Sequence, residues 1–509
     1  MIRIAIATTS QLAADAAEEI AALGGNAVDC ALAAALLSIN TEPGVCALAG
    51  SAFITIWRAG AEPVTIDGNV AVPGAGLAQE QRGHGTTSVT LDYGGGITTL
   101  VGPGSIAVPG TLAAMEDAWR QHGTASWADI FAPTVRACRQ GFPLSAACRY
   151  YLGYSADPIF NRSDDGYAAL HNADGILLDA GETVVVPHLA DSLAAIADEG
   201  ARVFYEGEIA AAIGQHCQEG NGALTLDDLR AYRAIERAPI TTDIGRWQIA
   251  SNPPPAVGGS VLAAMLLACN DLSGDSWSSE DLEKLIESQR ACLDFRKRNL
   301  DLADDVTAEA RRLVDTARSG RLLTHWTSAS TVHTSVVDSE GTGCAITASS
   351  GYGSGEMPAG TGLWLNNCLG EIELNRRGLN AGPTGSRLPS NMAPSVARRN
   401  DGAVLAAGSP GADRITTALQ QFLINYFVRE MPLADAISHP RLHVDTSGEI
   451  VRLMAEPGLD LPDVDIPVTV FPELVMYFGG VGAAVCYRDN RIGAAADPRR
   501  EGGVFVSDA

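Results

Sequence analysis

SASTVHTSVVDSEGTGCAITASS, Ser328–Ser350, reads as two short strands joined by the turn Asp338-Ser339-Glu340-Gly341. The pair Ser330-Thr331 stands directly ahead of a Val/His/Thr/Ser/Val/Val run, deep inside the chain. A polar strand start is the plain reading. The sharper one is chemical, because a Thr hydroxyl is a weak nucleophile near neutral pH and needs a base beside it. If the Ser330–Thr331 bond is cut, the new α-amine, with an ordinary pKa near ~8, sits next to that hydroxyl and can accept its proton. One residue then supplies both nucleophile and base. The same hydroxyl, attacking the Ser330 carbonyl, can make the cut.

Working outward, Ile2–Thr8 alternates like a strand, and Ala13–Leu23 has helical periodicity closed by Gly24-Gly25. Asn26–Ile39 is a nearly all-apolar helix, so a buried one. Ala52–Trp57 and Pro63–Ile66 form a strand pair turning at Ala59-Gly60-Ala61. Between residues 105 and 240 most segments read as helical, among them Thr111–Gln121, Trp127–Arg139, Leu189–Ala197 and Leu224–Arg233. Pro253-Pro254-Pro255 excludes helix there, and Gly258-Gly259-Ser260 opens an apolar helix through Leu267. Residues 296–327 are highly charged with no apolar stripe past Leu313, which makes them the best linker candidate. Beyond Thr331 the chain turns to short strands with Gly turns, then a helix over Arg414–Met431. Strands, then helices, then strands, with both halves contributing strands, fit four layers, two sheets between helices; periodicity alone supports α/β or α+β.

Composition narrows the function. The chain has 509 residues, 46% hydrophobic and 19% charged, enough for one large core or two ordinary domains. A net charge of −25 argues against nucleic acid and anionic membrane as partners. Ten cysteines without a C-x-x-C pair, most in apolar contexts, read as reduced buried thiols. Nine histidines without H-E-x-x-H or paired Cys/His spacing suggest no metal. The first residues do not form a signal peptide, and the longest apolar run, Ala31–Ile39, falls short of a membrane span, so a cytoplasmic location is expected.

Three further segments carry possible chemistry. Gly408-Ser409-Pro410-Gly411 is a turn leading into a helix, and the backbone N–H groups of Gly411 and Ala412 can hold an oxyanion; an ordinary Gly/Pro loop is the alternative. Ser390 and Asn391, between two prolines, can read a polar substrate end or cap a turn. LNNCLGEIELN, Leu365–Asn375, offers Asn366, Asn367, Glu371 and Glu373, and taken alone reads as an Asn-rich loop with exposed carboxylates.

Together these segments resemble the gamma-glutamyltransferase (gamma-glutamyltranspeptidase) family of N-terminal-nucleophile (Ntn) hydrolases. GGNAVDCALAAALLSINTEP, PGSIAVPGTLAAMEDAWRQHG, FYEGEIAAAI, LTLDDLRAY and NPPPAVGGSVL are similar to its large subunit. TVHTSVVDSEG, LNNCLGE, GSPGADRI and ADPRREGG are similar to its small subunit. The resemblance implies an α+β fold, the four-layer αββα Ntn-hydrolase sandwich with an additional helical portion. It also implies self-cleavage at Ser330–Thr331 into subunits 1–330 and 331–509, and no cofactor. Its substrates are small-molecule amides, and its acceptors water or an amine.

Thr331 matches the family nucleophile, and Ser349 falls where a second Thr supports it. Ser390 and Asn391 fall where a Ser-Ser pair binds the glutamyl α-carboxylate, and Glu371 where an acidic residue holds the α-amino group. Gly411 and Ala412 match the two oxyanion-hole glycines. The departures concern substrate. In TIDGNVAVPG, Asn69 stands where the family's D-F-R-E segment has an Arg that pairs with the α-carboxylate. Gly351 replaces an Asn on the α-amino side, Cys368 a Gln or Met, and VCALAGSA a Gly-rich segment. Two enzymatic readings follow: γ-glutamyl hydrolysis or transfer, as from glutathione, or the same acyl-enzyme chemistry on a non-glutamyl amide such as a small oxo-acid amide. An inactive, unprocessed homologue is the third. Arg387 and Arg414 are expected to be structural.

Overall fold

Val332–Asp338 is a strand with every residue buried, because each of its faces meets a different layer. In this computed structural model, which describes residues 2–92, 96–274, 276–319, 331–372, 374–411, 413–446 and 450–508, two large antiparallel sheets are formed by the described residues. The first runs, edge to edge, Gly503–Val506, Ile4–Thr8, Val332–Asp338, Gly343–Ser349, Ser51–Trp57, Val64–Gly68 and Ile235–Arg237. The second runs Ile492–Ala496, Gly482–Cys486, Val404–Gly408, Ser395–Arg399, Trp247–Ser251 and Ile240–Ile244. They meet through small and apolar side chains, Ala5, Val337 and Ala345 against Val396, Val404 and Ala484.

Helices cover both outer faces. Gln11–Ala22 ends at Gly24, whose φ of +91° is a glycine's position. Ala27–Thr41 starts with a reciprocal cap: Asn26 Oδ1 accepts from the Val28 and Asp29 amides while Asp29 Oδ2 accepts from Asn26 N–H. All fifteen of its residues are buried. On the far side, Gly258–Ala268 and Arg414–Leu423 pack on the second sheet, and Ser279–Phe295 packs against Gly258–Ala268. The helices between Thr111 and Ala231 form the additional helical portion. The fold is thus the expected four-layer αββα sandwich. All ten cysteines are buried and unbridged. Among the described residues no helix is long and apolar enough to cross a membrane.

Two expectations change. The charged stretch 296–327 is not a linker over its described part. Arg296–Leu300 extends the preceding helix by one π turn, and Val306–Arg318 is a helix packed on Gly258–Ala268. It has an apolar stripe, Ala310, Leu313, Val314 and Ala317, half of it alanine and therefore faint in the sequence. Residues 320–330, Ser330 included, lie outside the described residues. The helix expected over Arg414–Met431 is α-helical only to Leu423 and continues as a π turn through Val428.

Between the sheets sits a buried imidazole. His333 Nε2 is 2.7 Å from Ser335 Oγ, and Nδ1 is 2.8 Å from Thr347 Oγ1. Ser335 donates its hydroxyl to Gly482 O of the other sheet at 3.1 Å, so Nε2 carries the proton toward Ser335 and Nδ1 accepts from Thr347. Gly408 must be glycine, since a Cβ there would lie 2.2 Å from the imidazole. Burial lowers the His333 pKa from 6.5 to about 3, despite a favourable backbone contact at Ile346.

A histidine with a lowered folded-state pKa binds fewer protons folded than unfolded. Its contribution is therefore complete above pH 6.5 and is lost as the pH falls from 6.5 toward 3. Denaturant titrations between pH 7 and 4 should show stability falling by about 1.4 kcal/mol per pH unit from this residue. A flat profile across that window would contradict the neutral His333.

Candidate active site

Strand register builds the centre. Val332 pairs with Ala348, so the next position outward sets Thr331 beside Ser349, and Ser349 pairs with Ser51 on the neighbouring strand. Ser51 Oγ donates to Ser349 O at 2.9 Å, and Ser349 Oγ accepts from Gly351 N–H at 3.2 Å. Thr331, Ser349 and Ser51 line one cavity with Glu371, Ser390 and Asn391. Thr331 is buried.

The wall carrying Glu371 differs from the exposed loop expected of LNNCLGEIELN. Asn366, Asn367 and Glu371 are buried. Asn366 donates to the carbonyls of Ala49 and Ala107 and accepts from the amides of Ala107 and Cys368, filling all its hydrogen-bonding capacity. Asn367 donates to Thr99 Oγ1 and Leu100 O. The asparagines thus substitute for strand pairing and draw the loop inward. Gly351, at φ +65°, lies against it: a Cβ there would sit 2.3 Å from Asn367 Oδ1 and 2.8 Å from Glu371 Cδ. Cys368 also lines the cavity, its thiol pushed well up by burial and then by Glu371. Glu373 lies outside the described residues.

The opposite wall rests on buried charge. Ser390 Oγ accepts from Met392 N–H, and its carbonyl accepts from the Val257 and Gly258 amides. Asn391 Nδ2 donates to Asp413 Oδ1 at 2.6 Å, and Arg296 Nη1 donates to the same oxygen at 2.9 Å. Arg296 also reaches Asp301 at 3.0 Å, and Arg376 Nε lies 3.2 Å from Asp301. Burial alone disfavours the Arg296 charge, but Asp301 and Asp413 outweigh it and raise its pKa. Sequence reading missed Arg296, Asp413 and Ser51. Arg296 hid in a charged run read as a linker, and Asp413 sat unremarked just after the Gly408–Gly411 turn.

The Gly408–Gly411 turn leads into the helix Arg414–Leu423, whose Ile415 lines the cavity. Gly411 has φ +118°, and a Cβ there would lie 2.9 Å from Gly479 Cα. Ser409 Oγ accepts from Gly480 N–H at 3.1 Å, tying the turn to the loop behind it. That loop is held by Asp497, which accepts from Val481 N–H and pairs with Arg441 and Arg499; Arg499 also binds Glu456 through Nε at 2.6 Å. This explains the ADPRREGG segment. Ala412 lies outside the described residues.

Asn69 lines the cavity, but its amide donates to Leu388 O at 2.6 Å. Asp67 accepts from Asn69 N–H, and Arg237 Nε donates to Asp67 at 2.7 Å. Arg387 faces Asp67 at 3.5 Å, stacks 4.3 Å over the Tyr232 ring and donates to Arg233 O. Arg414 Nε donates to Tyr477 O. Neither Arg387 nor Arg414 lines the cavity.

A family model for gamma-glutamyltranspeptidase matches residues 13–507. The glutathione hydrolase proenzyme of Escherichia coli (strain K12) is 28% identical over 482 residues, covering 87% of this chain and 80% of that protein. The capsule biosynthesis protein CapD proenzyme of Bacillus anthracis is 27% identical over 418 residues, covering 78% and 75%. A crystal structure of cephalosporin acylase from Bacillus halodurans superposes with a TM-score of 0.81, over 100% of this chain and 96% of that one, at 22% identity; that likeness is one of fold.

Arg296→Met should destabilise the protein by about 3–5 kcal/mol in denaturant titrations, because Asp301 and Asp413 stay buried with their shared cation removed. Exposed Arg491→Met, by contrast, should leave the unfolding midpoint unchanged in the same titrations. Gly351→Ala should lose about 1–3 kcal/mol, through strain at positive φ and collision with the Glu371 wall.

Proposed function

The chain belongs to the gamma-glutamyltranspeptidase family, and on that footing we propose that it is a self-processing amidase or acyltransferase acting through an acyl-enzyme on Thr331. The observation that carries this is the register placing Thr331 beside Ser349 in a cavity that Glu371, Ser390 and Asn391 also line. In the precursor, Thr331 Oγ attacks the Ser330 carbonyl, the peptide becomes an ester, and water hydrolyses it. The products are residues 1–330, ending in a carboxylate, and residues 331–509, beginning with a free amine. That amine then takes the Oγ proton as Oγ attacks an amide carbonyl. Backbone N–H groups at Gly411 and Ala412 stabilise the oxyanion, and the departing amine leaves with the proton. Water or an amine acceptor attacks the resulting ester, restoring the Thr331 hydroxyl. Ser349 supports the nucleophile, and Ser390, Asn391 and Glu371 hold the acyl group.

For the acyl group, γ-glutamyl is what the family suggests, and its relatives are named glutathione hydrolases. A specific observation favours a non-glutamyl amide: Asn69 stands at the Arg position with its amide turned to Leu388.

Purified protein should run as two unequal bands on a denaturing gel, the smaller beginning Thr-Val-His-Thr. Thr331→Ala should run as one band with no turnover. An intact wild-type chain with amidase activity would refute the mechanism, and two bands in the variant would place the cut elsewhere. Asn69→Arg should raise release from a γ-glutamyl anilide.

A further inference from the structure

Ser349 is gripped at both of its oxygens. It is the last residue of its strand, and its carbonyl accepts from the buried Ser51 hydroxyl at 2.9 Å. Gly351 then turns at φ +65° and gives its amide to Ser349 Oγ at 3.2 Å. Ser51 is itself held from behind. Gly50 O accepts from the Gly110 and Thr111 amides at 2.8 and 3.2 Å, at the start of the helix Thr111–His122. The two chains come close here, since a Cβ on Gly50 would lie 2.5 Å from the Ser349 carbonyl oxygen. Ser51 also stands in VCALAGSA, the stretch that replaces the family's Gly-rich segment.

Residues directly opposite on neighbouring strands face the same way and bring their Cβ atoms to about 5 Å. Carried one place past Val332 and Ala348, the register makes Thr331, Ser349 and Ser51 one such row. Ser51 is two strands from Thr331, roughly 10 Å at the usual strand spacing, so its hydroxyl acts on Thr331 only through Ser349. We propose that Ser51 is a positioning residue for the Thr331 reaction. It clamps the Ser349 carbonyl and so holds the Ser349 hydroxyl at the nucleophile. Self-cleavage and amide turnover both need it, because both use Thr331 Oγ. The clamp also spans the two halves, with Ser51 before the proposed cut and Ser349 after it. A bond of the same kind on the same strand, Thr55 Oγ1 to Pro394 O at 3.0 Å, supplies a matched comparison away from Thr331. The inference rests on the acyl-enzyme reading above and assigns it a further residue.

The test starts from full-length precursor made by cell-free synthesis and followed on denaturing gels. Ser51→Ala should slow the appearance of the two fragments about tenfold, the worth of one buried hydrogen bond, while Thr55→Val cleaves at the wild-type rate. With mature protein and γ-L-glutamyl p-nitroanilide, Ser51→Ala should lower kcat by a similar factor and leave KM within about twofold; if the anilide is not a substrate, the cleavage rate decides. Hydrogen exchange at the Gly351 amide should be about tenfold faster in Ser51→Ala. Wild-type rates in Ser51→Ala, a change in KM alone, or an equal slowing in Thr55→Val would overturn the proposal and leave the amidase reading standing. An uncut, inactive wild-type chain would sink that reading instead. Exchange at Gly351 then decides for Ser51 by itself, faster exchange supporting the clamp and unchanged exchange refuting it. A Ser51→Ala chain that does not fold would make Ser51 structural and refute the positioning role.

Discussion

The hairpin register of Val332–Asp338 on Gly343–Ser349 is the constraint from which the site follows. A strand fixes which side chains share a face, and a shift of one residue would turn every one of them over. Here Thr331, His333, Ser335 and Val337 share a face, and the last three meet the second sheet through an imidazole, a hydroxyl and a valine. The His333 bridge allows little slippage: Gly408 leaves room for the ring, and Thr347 and Ser335 each meet one nitrogen. Holding His333 in register also holds Thr331, two residues away, at the mouth of the sandwich.

Around that strand the walls are fixed by buried polar groups more than by apolar packing. Asn366 and Asn367 pin the Glu371 side to residues 49, 99, 100 and 107. Arg296, Asp301 and Asp413 pin the Asn391 side to the helical layer. Asp497 and Arg499 brace the Gly408–Gly411 turn from behind. Such groups are costly to bury and costly to break, and they impose direction where apolar contacts do not. Glu371 and Asn391 are thereby set around one space by partners far apart in the chain.

The layered fold, the hairpin, the buried helix read over Asn26–Ile39 and the turn before Arg414 were legible in the sequence, because each has a local signal: alternation, a Gly turn, an unbroken apolar run, a Gly/Pro cluster. The helix at Val306–Arg318 was not, since alanines made half its buried stripe and charges filled the rest. The burial of Asn366, Asn367 and Glu371 was illegible for another reason. Their partners are backbone groups from distant segments, and polar residues in a loop look solvated until those partners are placed. Arg296 posed the same problem, with its counter-ion Asp413 more than a hundred positions along the chain.

The first sheet alternates segments from either side of Thr331: Gly503–Val506, then Ile4–Thr8, then Val332–Asp338 and Gly343–Ser349, then Ser51–Trp57. Such interleaving makes folding history-dependent once the proposed cut has been made. The uncut precursor assembles as a unimolecular event. A cleaved molecule that unfolds must find its other half again by diffusion, so its recovery becomes second order and slows on dilution. The mature form is then secured by the slowness of its unfolding rather than by a reversible balance, and the covalent continuity of the precursor serves as a built-in chaperone used a single time.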